Sequence, residues 1–418
     1  MSTIEERYWA ATPKSAAIAK RAQRVMPGGD TRSTTHHRPY SLTIDHGDGA
    51  LLFDVDGNRY IDLLGNYTSL VHGNAYPPIV EAILDAAGNG SAWPARSERQ
   101  VELAELLCDR VRSIEQVRFC NSGTEAGMLA AHVARRMTGR KFILMARHGY
   151  HGSYDDLEVG LAGHEGERTM LADFGDPNAF EALLSERGKE IAAVFLEPVL
   201  GSAGVVVPPA GFLNRVREAA RRAGAIFVID EVITLRLATG GAQQIFDVQP
   251  DLTMMGKIIG GGLPVGALGG AESLMSCLDP RNRGAMWHSG TFNGNPLTCA
   301  AGLVSVRDLT KERIEMMDRL GEHLERELKR AAVALELPFS VRRIGSLMNV
   351  FFLNEPPPSI ARDDAKLIGE FHLAALNHGL FFAPRGLLAL STVMTDALIA
   401  EVIERASRAL ADVASIAS

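Results

Sequence analysis

A lysine and an aspartate, each placed directly after a short apolar run, are the residues of this sequence best suited to covalent chemistry. Asp230 follows the run 225–229, and Lys257 follows the run 252–256. Such runs indicate strands buried in a parallel sheet, and ligands bind where these strands end. A lysine amine can form a Schiff base with pyridoxal phosphate, and a carboxylate can keep the ring nitrogen of that cofactor protonated. The pair therefore predicts a pyridoxal phosphate site, although either residue alone is more often an exposed lysine or a capping aspartate.

The segment 121–126, with the sequence Asn-Ser-Gly-Thr-Glu-Ala, could bind the phosphate of the same cofactor. It follows the run 117–120 and opens a predicted helix that ends at Gly139. The first N–H groups of a helix lack intrahelical acceptors and can bind a phosphate. The same residues also fit an ordinary helix cap, with Ser122 as the capping residue and Glu125 in the first turn. The spacing alone leaves both interpretations open.

Two other polar segments could contribute to the same site. Tyr150, in the segment Gly-Tyr-His-Gly, could stack on a pyridine ring, although a lone tyrosine is more often part of a half-buried loop. Thr291 lies in the glycine-rich segment 288–296, which could supply a phosphate contact or be a linker. His148 and His151 lack a third ligand at a suitable spacing, so we predict no metal site.

The elements that must position these residues follow an alternating pattern. Beyond about residue 75, predicted helices alternate with apolar runs, including 142–145, 193–196 and 225–229, which predicts an α/β domain with a mostly parallel sheet flanked by helices. After residue 310, two long helical patterns enclose mixed segments, which predicts a smaller α+β domain.

The first part of the chain contains fewer signals. One helix is predicted from Lys14 to Val25, where proline and glycine at 27–29 end it. Residues 51–62 predict a β-hairpin whose turn is 56–58.

Composition excludes several classes of protein. The formal net charge is −7, which disfavours a nucleic-acid-binding protein. The four cysteines form no Cys-x-x-Cys pair, which disfavours a disulfide framework and a zinc site. The N-terminus does not resemble a signal peptide, and no apolar run has the ~18 residues of a membrane span. We therefore expect a cytoplasmic protein that binds neither nucleic acid nor a membrane.

Several segments that occur together, in order, resemble a known family. They are Asn-Ser-Gly-Thr-Glu-Ala at 121–126, Tyr-His-Gly at 150–152, Glu-Pro-Val at 197–199, Asp-Glu-Val at 230–232, Gly-Lys-Ile-Ile-Gly-Gly-Gly-Leu-Pro at 256–264 and Gly-Thr-Phe at 290–292. The set is similar to the class III aminotransferases, in the branch that includes glutamate-1-semialdehyde aminomutase. The match runs from about Met26 to the C-terminus.

The resemblance implies the α/β fold type I of pyridoxal-phosphate-dependent transferases, and a homodimer whose active sites lie at the subunit boundary. Its implied organisation is an N-terminal segment, 1–65, that joins the small domain and covers the active site, a large cofactor-binding domain, 66–309, and a small C-terminal domain, 310–418.

The resemblance also implies roles for single residues. Lys257 would form the Schiff base with the cofactor, Asp230 would face the ring nitrogen, and Val232 and Tyr150 would pack on the two ring faces. The residues implied to bind the phosphate are Ser122, Gly123, Thr124 and, from the neighbouring subunit, Thr291.

Departures from the family pattern narrow the implied reaction. Members that act on ornithine or 4-aminobutyrate carry a gating glutamate where this chain has Ser202, and the aminomutases lack an arginine at the position of Arg385. The stretches around Arg32, 234–237 and 384–386 are most similar to the β-phenylalanine aminotransferases, in which two arginines bind carboxylates. Two separated guanidinium groups can each bind a carboxylate through two hydrogen bonds.

The implied reaction is a ping-pong transfer of an amino group from a β-amino acid to a 2-oxo acid such as 2-oxoglutarate or pyruvate. Tyr67, His72 and Trp93 could shape specificity or belong to ordinary packing. Two alternatives stay open. One is a glutamate-1-semialdehyde aminomutase, which needs no second substrate. The other is a non-catalytic nucleotide-binding α/β protein, which requires a Gly-x-Gly-x-x-Gly turn after a strand; we find no such unit.

Overall fold

The computed structural model describes residues 3–162, 166–357 and 364–417. The chain forms two compact units. The central unit consists of residues 77–311, and the terminal unit combines residues 1–76 with residues 312–418. The functional division at residues 65 and 309 stays a prediction.

Helices occur in both units, and several of them are single turns. In chain order they are α1 (Thr3–Ala11), α2 (Pro13–Ala22), α3 (Gly65–Thr68), α4 (Pro77–Gly88), α5 (Glu98–Arg110), α6 (Gly123–Thr138), α7 (Asp155–Ala162), α8 (Pro177–Arg187), α9 (Phe212–Ala223), α10 (Ala242–Ile245), α11 (Glu272–Met275), α12 (Pro296–Asp308), α13 (Lys311–Ala334), α14 (Ala365–Asn377) and α15 (Asp396–Ala417).

Strands likewise occur in both units. In chain order they are β1 (Ile44–Asp48), β2 (Leu51–Asp54), β3 (Arg59–Asp62), β4 (Gln116–Cys120), β5 (Phe142–Ala146), β6 (Thr169–Ala172), β7 (Ile191–Leu196), β8 (Ile226–Asp230), β9 (Leu252–Gly256), β10 (Gly266–Gly270), β11 (Ser340–Ile344), β12 (Leu347–Phe351), β13 (Leu380–Phe381) and β14 (Leu387–Ala389).

The central unit is built on one mixed sheet. Among its described residues, seven strands pair in the order β4-β10-β9-β8-β7-β5-β6. Strands β9, β8, β7, β5 and β6 run parallel, and β10 is antiparallel to both β4 and β9. Every residue of β7, β8 and β9 is buried, as expected for strands covered on both faces. The predicted, mostly parallel sheet is confirmed.

Strand β10 has the sequence Gly-Ala-Leu-Gly-Gly, and sequence reasoning missed it because glycine is disfavoured in strands. The glycine is required at its first position. A Cβ added to Gly266 would lie only 1.9 Å from the carbonyl oxygen of Ser122, at the start of α6. The strand therefore passes directly beside the helix start that the sequence predicts to be a phosphate site or an ordinary cap.

The terminal unit contains two smaller sheets and, in its described part, the three long helices α13, α14 and α15. One sheet has the order β1-β2-β3-β13 and the other β11-β12-β14. The predicted hairpin is β2–β3, and Gly57 in its turn has a φ of 92°, which favours glycine. The predicted small α+β arrangement is confirmed in this unit, where α13, α14 and α15 contribute to one apolar core with the sheets.

The prediction of a single N-terminal helix is wrong. Two helices, α1 and α2, meet at Thr12 and Pro13, and α2 ends at Ala22 rather than at Val25. Proline fits the first turn of a helix because its missing N–H group has no acceptor there, so Pro13 begins the second helix. The first helix is fixed by packing, since Ile4 and Tyr8 lie one turn apart and are both buried. None of the helices described here is both long and apolar enough to span a membrane.

Candidate active site

Asp230 and Lys257 lie at the carboxyl ends of two adjacent parallel strands of the central unit. Asp230 is the last residue of β8 and pairs with Met254 of β9, and Lys257 directly follows β9. Lys257 has a φ of 49°, a left-handed conformation that costs roughly 1–3 kcal/mol for a residue with a side chain. Such backbone strain clusters at functional sites, and here it marks the lysine that the sequence singled out.

Val232 packs between these strand ends and the start of α6. A Cβ added to Gly123 would lie 3.2 Å from Cγ2 of Val232, and one added to Gly256 would lie 3.4 Å from its Cγ1. The valine side chain therefore contacts backbone on both sides. The carboxyl ends of β8 and β9 and the predicted phosphate-binding segment thus lie next to one another around Val232.

The start of α6 contains the segment for which the sequence predicts either a phosphate site or a helix cap. The Ser122 side chain caps the helix by accepting a hydrogen bond from the N–H of Glu125, at 3.1 Å. In return, the Glu125 carboxylate accepts the N–H of Asn121, at 2.7 Å. The predicted helix cap is therefore present, and the residues of the first turn are half-buried. The phosphate-binding role of this helix start stays a prediction. The first N–H groups of such a helix lack intrahelical acceptors and carry the positive end of the helix dipole.

The loop that carries Tyr150 closes on this helix start. A Cβ added to Gly152 would lie 2.5 Å from Cα of Thr124, and the Thr124 hydroxyl accepts the N–H of Ser153, at 3.2 Å. Only glycine permits this approach, which explains the glycine at position 152. Tyr150 itself is half-buried, and its hydroxyl lies 3.3 Å from that of Ser153.

Asp230 is buried and held by two donors. Its Oδ1 accepts the N–H of Val232, at 2.9 Å, and its Oδ2 lies 2.9 Å from Nδ1 of His151. Because a carboxylate can only accept, Nδ1 of His151 carries the hydrogen in this contact. The carboxylate is thus fixed in orientation while buried, as required of a group that must face one atom of a ligand.

His151 and Glu197 are site residues to which sequence reasoning gave no role. Glu197 directly follows β7, and its two oxygens accept the N–H groups of Tyr150, at 3.0 Å, and Gly201, at 2.9 Å. Both residues lie in segments that carry the family resemblance, Tyr-His-Gly and Glu-Pro-Val, but the spacing could not reveal their contacts. Together they position the Tyr150 loop and the Asp230 side chain.

Burial raises the pKa of the Glu197 carboxyl to about 7. His151 and the two N–H donors lower the pKa, whereas the nearby Asp230 raises it. The carboxyl therefore resists ionisation in the folded protein over a range in which an exposed glutamate is already charged.

We expect the Glu197→Gln substitution to change how stability depends on pH. As pH rises from about 4.5 to about 7, the unfolded chain ionises at Glu197 before the folded protein does, so the free energy of unfolding falls by about 3 kcal/mol. The glutamine variant lacks this loss. We therefore expect the wild type to lose stability relative to the glutamine variant as pH rises. Urea unfolding of both proteins between about pH 5 and about pH 8 measures this change. Glu186→Gln, at an exposed carboxylate, is the control; a pH-independent difference for Glu197→Gln would contradict this pKa.

Thr291 lies in a different part of the central unit. It is exposed, and with Trp93 and Arg96 it lines a cavity of about 330 Å³. Its segment is tied to the helix start, because the Asn121 side chain donates to Oδ1 of Asn293, at 2.8 Å.

The two predicted substrate arginines lie together in the terminal unit. The guanidinium carbon of Arg32 lies 5.7 Å from the centre of the Tyr67 ring, and that of Arg385 lies 5.5 Å from the same centre. Arg32 also donates to Oδ1 of Asn66, at 2.9 Å. Both cations therefore face one aromatic ring, and such contacts hold guanidinium groups without neutralising their charge.

The backbone holds Tyr67 in a strained position. Asn66, Tyr67 and Thr68 have φ values of 46°, 54° and 77°, and the Tyr67 hydroxyl donates to the Thr34 carbonyl. Burial raises the pKa of the Tyr67 phenol, although Arg385 lowers it. Of the residues left unranked by sequence, Tyr67 thus contacts the arginines. His72, in contrast, is buried against Tyr76 and Thr392, which indicates a packing role.

Comparison with known proteins identifies the family. The family model described as "Aminotransferase class-III" matches residues 32–175 and 176–410. The chain belongs to the class III aminotransferases. A curated relative, the glutamate-1-semialdehyde 2,1-aminomutase of Myxococcus xanthus, is 38% identical over 94% of this chain and 97% of its own.

Two solved structures are also similar to this chain. One is described as a transaminase with PLP bound (TM-score 0.92, 34% identity, 97% of this chain and 99% of that chain). The other is a β-phenylalanine aminotransferase from Variovorax paradoxus (TM-score 0.91, 35% identity, 96% of this chain and 94% of that chain). The predicted family, fold class and pyridoxal-phosphate-dependent enzyme class are confirmed.

The residues of the central unit fit this cofactor. The site offers an amine at Lys257, a fixed carboxylate at Asp230 and the open N-terminus of α6 for a phosphate. The glycines at 123 and 256 leave space beside Val232 that any Cβ would reduce. No group of three or more His, Cys, Asp and Glu side chains within the described ranges is placed to hold a metal ion.

Proposed function

We propose that this protein is an aminotransferase that moves an amino group from a β-amino acid to a 2-oxo acid. The observation that carries the proposal is the pair of arginines, Arg32 and Arg385, whose guanidinium groups both contact the ring of Tyr67. A transaminase of this kind binds two carboxylates in turn. The similarity to the β-phenylalanine aminotransferase of Variovorax paradoxus supports the same assignment.

In this proposal Lys257 holds the cofactor through its Nζ atom. The phosphate is bound by Ser122, Gly123 and Thr124 at the start of α6. When bound, pyridoxal phosphate supplies an electron sink for the substrate carbon that loses a proton. Val232 and Tyr150 would hold the ring by packing on its two faces.

The chain's own residues then move and hold the protons. The Nζ amine of Lys257, released when the amino group of the donor takes its place on the cofactor, would remove the proton from the substrate carbon that bears the amino group and would later return a proton. The Asp230 carboxylate keeps a proton on the ring nitrogen. The Val232 N–H and His151 hold that carboxylate in one orientation, so no reorganisation is needed when charge moves.

The arginines account for the use of two different substrates. A β-amino acid and a 2-oxo acid place their carboxylates at different distances from the reacting carbon. Arg32 binds the donor carboxylate and Arg385 binds the acceptor carboxylate, each through two parallel hydrogen bonds. Ser202, where other members carry a gating glutamate, leaves Arg385 without that acid as a competitor.

The proposal includes a cytoplasmic homodimer in which Thr291 contributes to the phosphate site of the neighbouring subunit. Thr291 and the next residue, Phe292, are both exposed, which supports this role. The N-terminal segment 1–65 and the division of labour between residues 66–309 and 310–418 follow the same proposal.

A second candidate function is the isomerisation catalysed by glutamate-1-semialdehyde 2,1-aminomutase. The names of curated relatives that are 35–38% identical favour it. An aminomutase returns the amino group to the same molecule and needs no 2-oxo acid. Arg385 and its contact with Tyr67 favour the transaminase, since a fixed second cation serves a second carboxylate.

The test measures amino transfer from β-phenylalanine to 2-oxoglutarate or pyruvate in the wild type and in Arg385→Ala. We expect the wild type to form glutamate or alanine, and the variant to lose about 1.5–3 kcal/mol in kcat/KM for the acceptor, since one charge-assisted pair is removed. Arg408→Ala, at an exposed arginine of the terminal unit, is the matched control.

Two results would count against the transaminase. An unchanged acceptor dependence in Arg385→Ala would remove the role of that arginine. Rapid isomerisation of glutamate-1-semialdehyde, with no amino transfer to any added 2-oxo acid, would establish the aminomutase instead.

A further inference from the structure

A cavity of about 260 Å³ lies within the terminal unit, and Arg32 and Tyr67 form part of its wall. Other parts of the wall are apolar and include Leu42, Leu52 and Phe382. Arg32 is exposed, whereas Phe382 is buried in the core. The cavity therefore extends from Arg32, the proposed donor-carboxylate site, to Phe382 in the apolar core of the same unit.

The volume suits a ring-sized group. A cavity of roughly 150 Å³ with Leu, Ile and Phe walls is large enough to bind benzene. The cavity of the terminal unit exceeds that volume, so it can accept an aromatic side chain together with the first atoms of the group that carries it. Its apolar wall favours such a side chain because binding removes the apolar surface of both from water.

The ionisable groups that line the cavity have partners of their own. The Asp30 carboxylate accepts the N–H groups of Thr31 and Arg32 and the hydroxyl of Thr35. Burial raises the pKa of this carboxyl, but these hydrogen bonds and the charge of Arg32 lower it below its usual value. The Asp62 carboxylate, which also lines the cavity, already accepts the N–H groups of Leu64 and Gly65 and the amide of Asn74. Burial raises the pKa of Asp62 and so disfavours its charge. Among the described residues of the wall, Arg32 is the cation, and the proposed function uses it for the donor carboxylate.

His372 is a buried polar residue of this wall whose ring nitrogens have no hydrogen-bond partner among the described residues. It is 2% exposed, and burial lowers its pKa well below the usual value, so the imidazole is neutral. Neither ring nitrogen has a hydrogen-bond partner within the residues described, and the rings of His37 and Phe382 pack against it at 4.7 Å and 5.4 Å. A neutral imidazole offers one donor and one acceptor, and buried polar groups normally find partners.

We propose that this cavity binds the side chain of the amino donor, that it accepts uncharged side chains of about the size of an aromatic ring, and that His372 favours those carrying a hydroxyl group. The inference rests on the proposed function, which places the donor carboxylate at Arg32. His372 acts here as a specificity-determining residue, and it takes no part in the chemistry at Lys257.

Filling the cavity tests the first part. With β-phenylalanine and β-alanine as donors, we expect Leu42→Trp to lower kcat/KM for β-phenylalanine at least about 10-fold and to leave β-alanine within about 2-fold. Leu42→Phe, a smaller filler, should act in the same direction and guards against misfolding of the larger variant. Val333→Trp, at an exposed position of α13, is the matched control.

Changing His372 tests the second part. The wild type should use β-tyrosine, the ring-hydroxylated analogue, about 3- to 10-fold better than β-phenylalanine, the size expected of one neutral hydrogen bond. His372→Leu should abolish this preference while β-phenylalanine turnover persists, and His372→Gln, which keeps a hydrogen-bonding group, should restore part of it. A preference that survives His372→Leu, or none in the wild type, would overturn the role of His372.

The outcomes separate this inference from the proposed function. If β-amino donors fail but α-amino donors react, the β-amino acid assignment is wrong. The cavity is then tested by measuring kcat/KM of the same variants with phenylalanine, tyrosine and alanine as donors. If Leu42→Trp lowers the rates with large and small donors equally, or if donors with a second charge are used best, the cavity is not the side-chain site. If no donor of either series reacts, both proposals fail.

Discussion

The Lys257→Ala protein is expected to bind pyridoxal phosphate but to lose at least about 10³-fold in kcat for amino transfer. The substitution removes both the amine that holds the cofactor and the base that moves the substrate proton, and a positioned base alone contributes about 10²- to 10⁴-fold. The bound cofactor should also lack the yellow absorbance of a lysine-linked cofactor. Steady-state rates and an absorbance spectrum of the purified protein measure both effects.

Lys189→Ala is the matched control, because Lys189 is an exposed lysine of the same unit. It should keep full activity and the yellow absorbance. Lys257→Ala activity near that of the wild type would show that another group carries the chemistry, and the assignment of Lys257 would fail.

The Asp230→Asn protein is expected to lose on the order of 10²- to 10³-fold in kcat, the size found when one preorganised electrostatic contact to a transition state is removed. Asparagine can still accept the N–H of Val232, so the local backbone should be preserved. It carries no charge, however, and cannot keep a proton on the ring nitrogen. The loss should appear in kcat, while the absorbance of the bound cofactor shows that the site is still occupied.

Asp173→Asn provides the control for this substitution. Asp173 also directly follows a parallel strand, β6, but its side chain is 72% exposed and pairs with Arg147. We expect its activity to match that of the wild type. Equal effects of the two substitutions, or an unimpaired Asp230→Asn enzyme, would mean that the carboxylate at 230 has no special part in the reaction.

Much of the central unit could be predicted from its sequence because burial on both faces of a parallel sheet leaves a strong signal. The runs that end at Asp230 and Lys257 are strands with every residue buried, and the residues after them lie at the expected sheet edge. The helix start at 122–125 could also be predicted, since Ser122 and Glu125 satisfy backbone groups within four residues of themselves. Local hydrogen bonding and apolar runs are readable one segment at a time.

Contacts between distant segments could not be predicted in this way. His151 reaches Asp230 and Glu197 reaches Tyr150 across gaps in sequence that no short pattern records. Strand β10 is a strand because neighbouring backbone leaves no room for a side chain at Gly266, against the usual preference of glycine. The family resemblance pointed to Arg32 and Arg385, but only the structure shows that both face the ring of Tyr67.

The most direct test of the central claim is to find the lysine to which the cofactor is attached. The holoenzyme is reduced with borohydride, which makes a cofactor–lysine link permanent, and is then digested and analysed by peptide mass spectrometry. We predict that the modified peptide is the one containing Lys257, and that the modification disappears when an amino donor is added before reduction. A modification on another lysine, or none in a protein saturated with pyridoxal phosphate, would contradict the assignment on which the proposed function depends.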